Sequence, residues 1–293
     1  VQTCALPIYS LYADYMETAI YNALMASLKA DASQIAKYSP LEGWRHEGEE
    51  QCGMHINCCN ANGPRAFAMI PQFAYQVQDD CVRVNFYAPS EAELVLPGKK
   101  PVRLKQTTDY PRTDQIEIEV DPAKETAFTI ALRIPAWSKI AVVSVNGQPQ
   151  DGVLQGAYLP VNRKWKKGDR ITVKLDLRAR LVERNQAQAI VRGPIVLARD
   201  SRFGDGFVDE ASVVVSKDGY VALTPVKAPG FAWLAFTAPM VLGTDLESNR
   251  APKQIHFCDF ASAGNTWDKT QRYRVWLPKT LNVMHSPYRP YNQ

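Results

Sequence analysis

Cys58 and Cys59 stand side by side in His55-Ile56-Asn57-Cys58-Cys59-Asn60-Ala61-Asn62-Gly63-Pro64-Arg65. Adjacent Cα atoms across a trans peptide are about 3.8 Å apart, short of the roughly 4.4–6.8 Å that a relaxed disulfide spans. The two sulfurs are therefore poorly placed to bond each other and well placed to share a metal or to react as thiolates. Pro64 suits the first position of a helix with Asn62 or Gly63 as its cap, and Phe67, Ile70, Phe73, Ala74 and Val77 follow at helical spacing. That places the thiols near the positive end of a helix over residues 64–78, where thiol pKa falls. Pro71 is expected to kink it. Two neighbouring cysteines are equally compatible with a buried, chemically silent core position.

Upstream, Tyr12, Met16, Ala19, Ile20, Ala23, Leu24 and Leu28 fall on one face of a helix over residues 11–29. A polar stretch of about thirty residues then runs from Ala30 to Asn62, longer than most connections inside a domain. It holds Tyr38, Trp44, His46, Cys52, His55 and the cysteine pair, so a functional loop is the natural reading.

Past Asp80 the periodicity changes. Val82 to Tyr87, Gln115 to Val120, Phe128 to Ile134 and Ile171 to Leu177 alternate apolar and polar residues, and Ala141 to Val145 leads into the turn signal Asn146-Gly147. Short strands so spaced read as a β-sandwich. A second β-rich region runs from Leu181 to Leu277, with strands expected at Ala189 to Val191, Ile195 to Leu197, Ser212 to Val215, Tyr220 to Leu223 and Tyr273 to Leu277. The tail over residues 281–293 is rich in Pro, Tyr and Asn.

Composition excludes several classes of function. With 34 basic and 30 acidic residues interspersed and a net charge of +4, no basic patch points to nucleic acid. No apolar run is long enough for a membrane helix. Residues 1–8 can be encoded by a run that resembles the end of a short-read sequencing adapter, continuing into a Tyr codon at Tyr9. They are set aside from fold and chemistry, Cys4 included, and the native chain is expected to begin further upstream. Cys52, Cys58, Cys59, Cys81 and Cys258 then remain, an odd set that makes no disulfide framework. The compartment is not readable.

Several stretches together resemble glycoside hydrolase family 127 and its relatives, the bacterial β-L-arabinofuranosidases. They are Tyr12 to Leu24, Tyr38-Ser39-Pro40-Leu41-Glu42, the Cys58-Cys59 pair, Val84-Asn85-Phe86-Tyr87-Ala88-Pro89-Ser90, Leu132-Arg133-Ile134-Pro135-Ala136-Trp137-Ser138, Val145-Asn146-Gly147, Arg192-Gly193-Pro194, Trp267 and Arg274-Val275-Trp276-Leu277-Pro278. The resemblance implies a mixed fold: terminal helices of a truncated (α/α)6 barrel over residues 9–80, then two all-β sandwich domains over 81–178 and 179–280. It also implies a zinc ion held by a Glu, a Cys shortly after it and both cysteines of the pair, with one cysteine as nucleophile and a separate Glu as acid/base. Carried over, Cys58 is the nucleophile, Cys58 and Cys59 are zinc ligands, and Tyr38 matches a tyrosine of the substrate pocket. The remaining ligands and the acid/base Glu belong upstream, so the chain alone is expected to be inactive. Gln2-Thr3-Cys4 is not taken as the missing ligand motif, because Gln replaces Glu and the string is adapter-like.

The implied activity is retaining release of L-arabinofuranose from a plant glycan or a glycoprotein oligosaccharide. A thiolate can replace the carboxylate nucleophile of the usual pair of carboxylates about 5 Å apart. Zinc at about 2.3 Å from sulfur enforces the thiolate form. His55 reads as a contact to sugar or zinc, or as a loop histidine held by local hydrogen bonds. Trp44 reads as a sugar platform or a loop anchor, and Trp137 as sandwich core. Asn60-Ala61-Asn62-Gly63 departs from the Pro-rich sequence that often follows the pair in the family, which leaves the sugar open. The alternative is a non-catalytic carbohydrate-binding or scaffolding β-sandwich protein with structural cysteines.

Overall fold

The computed structural model describes residues 9–48, 58–243 and 251–279. Residues 1–8, Cys52, His55 and the tail over 281–293 lie outside the described residues. Two helices, α1 (Ser10–Ala19) and α2 (Cys58–Ala74), and a two-residue strand, β1 (Glu42–Gly43), precede the β-rich remainder. α1 runs on into a π-helical turn at Ile20–Leu24. The chain divides into two compact units, residues 9–19 with 65–177 and residues 20–64 with 178–279.

The first unit is built from β2 (Tyr75–Gln78), β3 (Cys81–Val84), β4 (Ser90–Leu96), β5 (Lys100–Thr108), β6 (Gln115–Pro122), β7 (Thr126–Ile134), β8 (Val142–Val145), β9 (Gln148–Pro149), β10 (Ala157–Trp165) and β11 (Asp169–Lys174). They form a four-stranded sheet ordered β10-β7-β3-β2 and a six-stranded sheet ordered β4-β5-β6-β11-β8-β9. β6 and β11 bury alternate residues, Ile116, Ile118 and Val120 from the first and Ile171 and Val173 from the second, while β7 buries Phe128, Ile130, Leu132 and Ile134 on one face and Ala131 and Arg133 on the other. Each such apolar side chain contributes about 1.5–3 kcal/mol when taken from water. Trp165 is fully buried and its indole N–H donates to the Phe128 carbonyl at 3.0 Å, so its one polar atom is satisfied. Asn146 and Gly147 both take positive φ between β8 and β9, as a tight hairpin turn demands.

β4, β5 and β10 escape the sequence pattern. Ser90-Glu91-Ala92-Glu93-Leu94 carries residues that favour helices, and Pro160 interrupts β10. The proline is tolerated because β10 is an edge strand.

α1 differs from its expected orientation. Leu11, Tyr12 and Tyr15 are exposed, and the buried side is Ser10, Ala13, Asp14 and Glu17. The cause is Arg133 on β7. Its buried guanidinium donates to Asp14 and, at 2.7 Å, to Glu17, while Tyr110 Oη donates to Glu17 at 2.8 Å and Asp14 accepts from the Ala136 N–H at 2.9 Å. Burial opposes the charge on Arg133, but Glu17, Tyr110 and Asp14 outweigh it and push its pKa above the usual value.

In the second unit, β1 joins β12 (Ala179–Arg184), β13 (Ala187–Arg192), β14 (Ile195–Asp200), β15 (Ser212–Val214), β16 (Tyr220–Val221), β17 (Thr224–Pro225), β18 (Ala235–Leu242), β19 (Lys253–Asp259), β20 (Tyr273–Arg274) and β21 (Leu277–Pro278). These hydrogen-bond into one branched sheet of eleven strands instead of two separate ones. β14 is the branch point: Ile195 and Val196 pair with β13, Leu197 and Ala198 with β19, Arg199 and Asp200 with β20. Its core gathers Ile190, Leu197, Phe236, Met240, Ile255, Phe257 and Leu277.

Candidate active site

α2 begins at Cys58 itself and ends at Ala74, with residues 75–78 turning into β2. The expected cap at Asn62 or Gly63 and the helix over 64–78 are therefore displaced: the pair forms the first turn, and the Asn62 side-chain amide donates back to the Cys58 carbonyl at 3.1 Å. Gly63 packs closely on Ile35, whose side chain would have to shift to admit a Cβ there.

Cys58 is exposed, Cys59 half-buried, and both are free thiols. The helix N-terminus was expected to lower their pKa. Cys59 goes the other way: loss of solvent, then its hydrogen bond with Cys58 and the proximity of that sulfur, raise it, and Lys37 opposes them only in part. A thiol in this setting needs a metal or another cation to ionise at neutral pH. Lys37 was not foreseen in this role; its spacing from the pair, across a long loop, carries no sequence signal.

The loop leading toward the pair is tied down at many points. Leu28 bridges Ile35, and the Ala36 N–H donates to the Ser27 carbonyl at 2.7 Å. β1 pairs with β20, the Val275 N–H donates to the Leu41 carbonyl at 2.8 Å, and Tyr273 Oη to the Pro40 carbonyl at 2.6 Å. Arg45 is the central anchor. Buried to 1% exposure, it donates to the carbonyls of Ala26, Phe260 and Ala261, and its guanidinium sits 4.6 Å from the Phe260 ring and 5.1 Å from the Tyr273 ring.

Tyr38 is 56% exposed, and its ring edge lies 3.3 Å from where a Cβ on Gly48 would stand. Trp44 is partly exposed, 6.2 Å ring to ring from His46 and 5.6 Å from the Arg272 guanidinium. Trp137 is buried, as sandwich core requires. His55 lies outside the described residues. Cys58, Cys59 and Tyr38 share the second unit, and among the described residues no group of three metal-ligating side chains converges. No described helix is long and apolar enough to cross a membrane.

Residues 81–177 match the family model described as the middle domain of the GH127 β-L-arabinofuranosidases. The non-reducing end β-L-arabinofuranosidase of Bifidobacterium longum subsp. longum is 27% identical over 212 residues, covering 63% of this chain and 31% of the relative. Among solved structures, a GH127 β-L-arabinofuranosidase from Geobacillus stearothermophilus T6 aligns with a TM-score of 0.76 at 23% identity, over 93% of this chain and 47% of the other. A second GH127 β-arabinofuranosidase aligns with a TM-score of 0.74 at 23% identity, over 92% and 46%. At these identities the structural likeness establishes the fold. The chain thus spans 31% of the curated relative and just under half of the solved ones.

Proposed function

We propose that the chain is the part of a retaining glycoside hydrolase, β-L-arabinofuranosidase-like, that carries the cysteine nucleophile. The observation that carries this reading is the exposed Cys58 beside Cys59 at the start of α2, directly ahead of a family 127 middle domain. Residues 9–80 are read as the end of an (α/α)6 barrel, which the outward-facing Leu11, Tyr12 and Tyr15 support. Residues 81–178 are the middle domain and 179–280 the last β domain.

In the proposed reaction the Cys58 thiolate attacks the anomeric carbon of a terminal L-arabinofuranosyl unit, and the S–C bond forms as the glycosidic C–O bond breaks. The leaving oxygen takes its proton from a Glu supplied by polypeptide outside this chain. That carboxylate then takes a proton from water, which displaces Cys58 and regenerates the thiolate; two inversions give retention. Tyr38 and His55 are assigned to sugar contacts. The substrates are arabinofuranose-bearing plant glycans or glycoprotein oligosaccharides.

The donor chemistry of the pair fits zinc. Two adjacent thiols supply two of the four positions of a tetrahedral site, and the remaining ligands fall to polypeptide outside this chain. Zinc held by Cys58 and Cys59 would keep both sulfurs ionised at neutral pH, which answers the raised pKa of Cys59. Among the described residues no third ligand joins Cys58 and Cys59, so zinc binding and turnover by the 293-residue chain alone are expected to be weak.

The test is kinetic, on the longer polypeptide. Cys58→Ser abolishes cleavage of an aryl arabinofuranoside without unfolding the protein. Cys59→Ser lowers zinc content and activity together, with partial recovery in excess zinc. Full activity in both variants would end the thiolate mechanism and favour a carbohydrate-binding scaffold.

A further inference from the structure

Arg199 on β14 is 1% exposed, yet Nε, Nη1 and Nη2 have no hydrogen-bond partner among the described residues. Its nearest carboxylate, Asp205 Oδ1, lies 3.8 Å away, and Asp205 is otherwise engaged, its Oδ2 accepting the His256 N–H at 2.6 Å. A buried, unsatisfied guanidinium is costly, and folds rarely keep one without a use for it. The guanidinium is directed at Gly206. Arg199 Nη2 lies 3.3 Å and Glu210 Oε2 3.7 Å from the point a Cβ on Gly206 would occupy. A cation and a carboxylate therefore converge on the open side of a glycine whose φ of +130° itself disfavours a side chain.

Gly206 also lines a cavity of about 440 Å³, together with Ser201, Phe207, Val208, Asp209, Glu210 and Arg272. That volume suits a small molecule. Phe207 is 82% exposed at its rim, a large aromatic face with no packing role. Charge around the cavity is balanced: Asp209 lies 3.6 Å from Arg272 and 3.4 Å from Arg274, and Glu42 bonds Arg274 at 2.6 Å. An anion or a cation gains little from such a wall. Arg199 lies behind Gly206 and the wall itself presents Arg272, Asp209, Glu210 and Phe207, so a neutral molecule with many hydroxyls gains on every side, accepting from Arg272, donating to a carboxylate and laying its C–H face on the phenyl ring.

We propose that this cavity is a binding site for a neutral saccharide, separate from the cysteine pair. It does not depend on the cysteine chemistry and stands if the thiols prove inert.

The test is saturation-transfer NMR on the 293-residue chain with arabinotriose and, as a hexose probe, cellotriose. Signals are expected from the wild type with at least one of the two, and unchanged from the Cys58→Ser/Cys59→Ser double variant. Phe207→Ala, at an exposed position that leaves folding intact, should weaken the bound probe about tenfold. Gly206→Ala, filling the space between Arg199 and Glu210, should do the same. No signal from either probe, full signal in Phe207→Ala, or loss of signal in the cysteine double variant would overturn the assignment. Stronger binding of galacturonate than of the neutral probes would overturn its neutral character.

Discussion

Arg133 Nη2 on β7 donates to Glu17 Oε1 on α1 at 2.7 Å, across 116 positions of sequence, with both side chains buried. The same guanidinium reaches Asp14 one turn earlier. This fork turns the polar side of α1 inward and leaves Leu11, Tyr12 and Tyr15 outside. Removing the cation strands two buried carboxylates, so Arg133→Met should lower stability by about 3–5 kcal/mol in urea unfolding. Glu17→Gln should cost less, because Asp14 still holds the arginine. Equal effects of the two would contradict this ranking.

Arg45 holds the loop that leads toward the cysteines through a planar fork to three carbonyls. Lysine keeps the charge but not the fork. Arg45→Lys is therefore expected to destabilise the chain by about 1–3 kcal/mol. It should also speed hydrogen exchange at the Val275 amide, which bonds the Leu41 carbonyl. Unchanged exchange there would remove Arg45 as the anchor.

Asp121 accepts hydrogen bonds from Arg103 and from the Gly168 N–H at 2.8 Å, and the arginine first of all holds its carboxyl below the usual carboxylate range. A depressed folded pKa adds stability above the unfolded pKa of about 3.9 and loses it as pH falls through the folded value. Asp121→Asn should thus melt below the parent at pH 7, and the gap should close below about pH 3.9. A gap constant with pH would show that the carboxylate charge plays no part.

Cys58 is exposed, whereas Cys258 is fully buried, with burial first and then Asp259 and Asp200 pushing its thiol well above the ordinary range. Iodoacetamide at pH 8 should label Cys58 in the folded chain and reach Cys258 only after denaturation. Peptide mapping of both sites decides the matter.

Strands whose pattern was undisturbed were legible in the sequence: β6, β7 and β8 with its Asn146-Gly147 turn lie where alternation and turn chemistry place them. β18 and β19 were missed. β18 is buried along most of its length and so lacks alternation, and it carries Pro239 in mid-run. α1 was found but rotated, because periodicity counts apolar residues and cannot see that Asp14 and Glu17 have a buried partner on a distant strand. The cysteine pair was legible from spacing, and its helix boundary was not, since Pro64 is an equally good first-turn residue. Arg45 and Lys37 act through contacts closed only by the fold, and the cavity beside Gly206 draws on residues from 201 to 272 that no local motif connects.

The central claim is that Cys58 attacks the sugar while Cys59 serves the metal, an order that rests on family resemblance. An arabinofuranose-configured electrophile, applied to the zinc-loaded longer polypeptide and followed by mass-spectrometric peptide mapping, tests it most directly. The account predicts one stoichiometric label on Cys58, none on Cys59, and loss of labelling in Cys58→Ser. A label on Cys59 would reverse the two roles, and an unlabelled pair in a fully active enzyme would contradict the account.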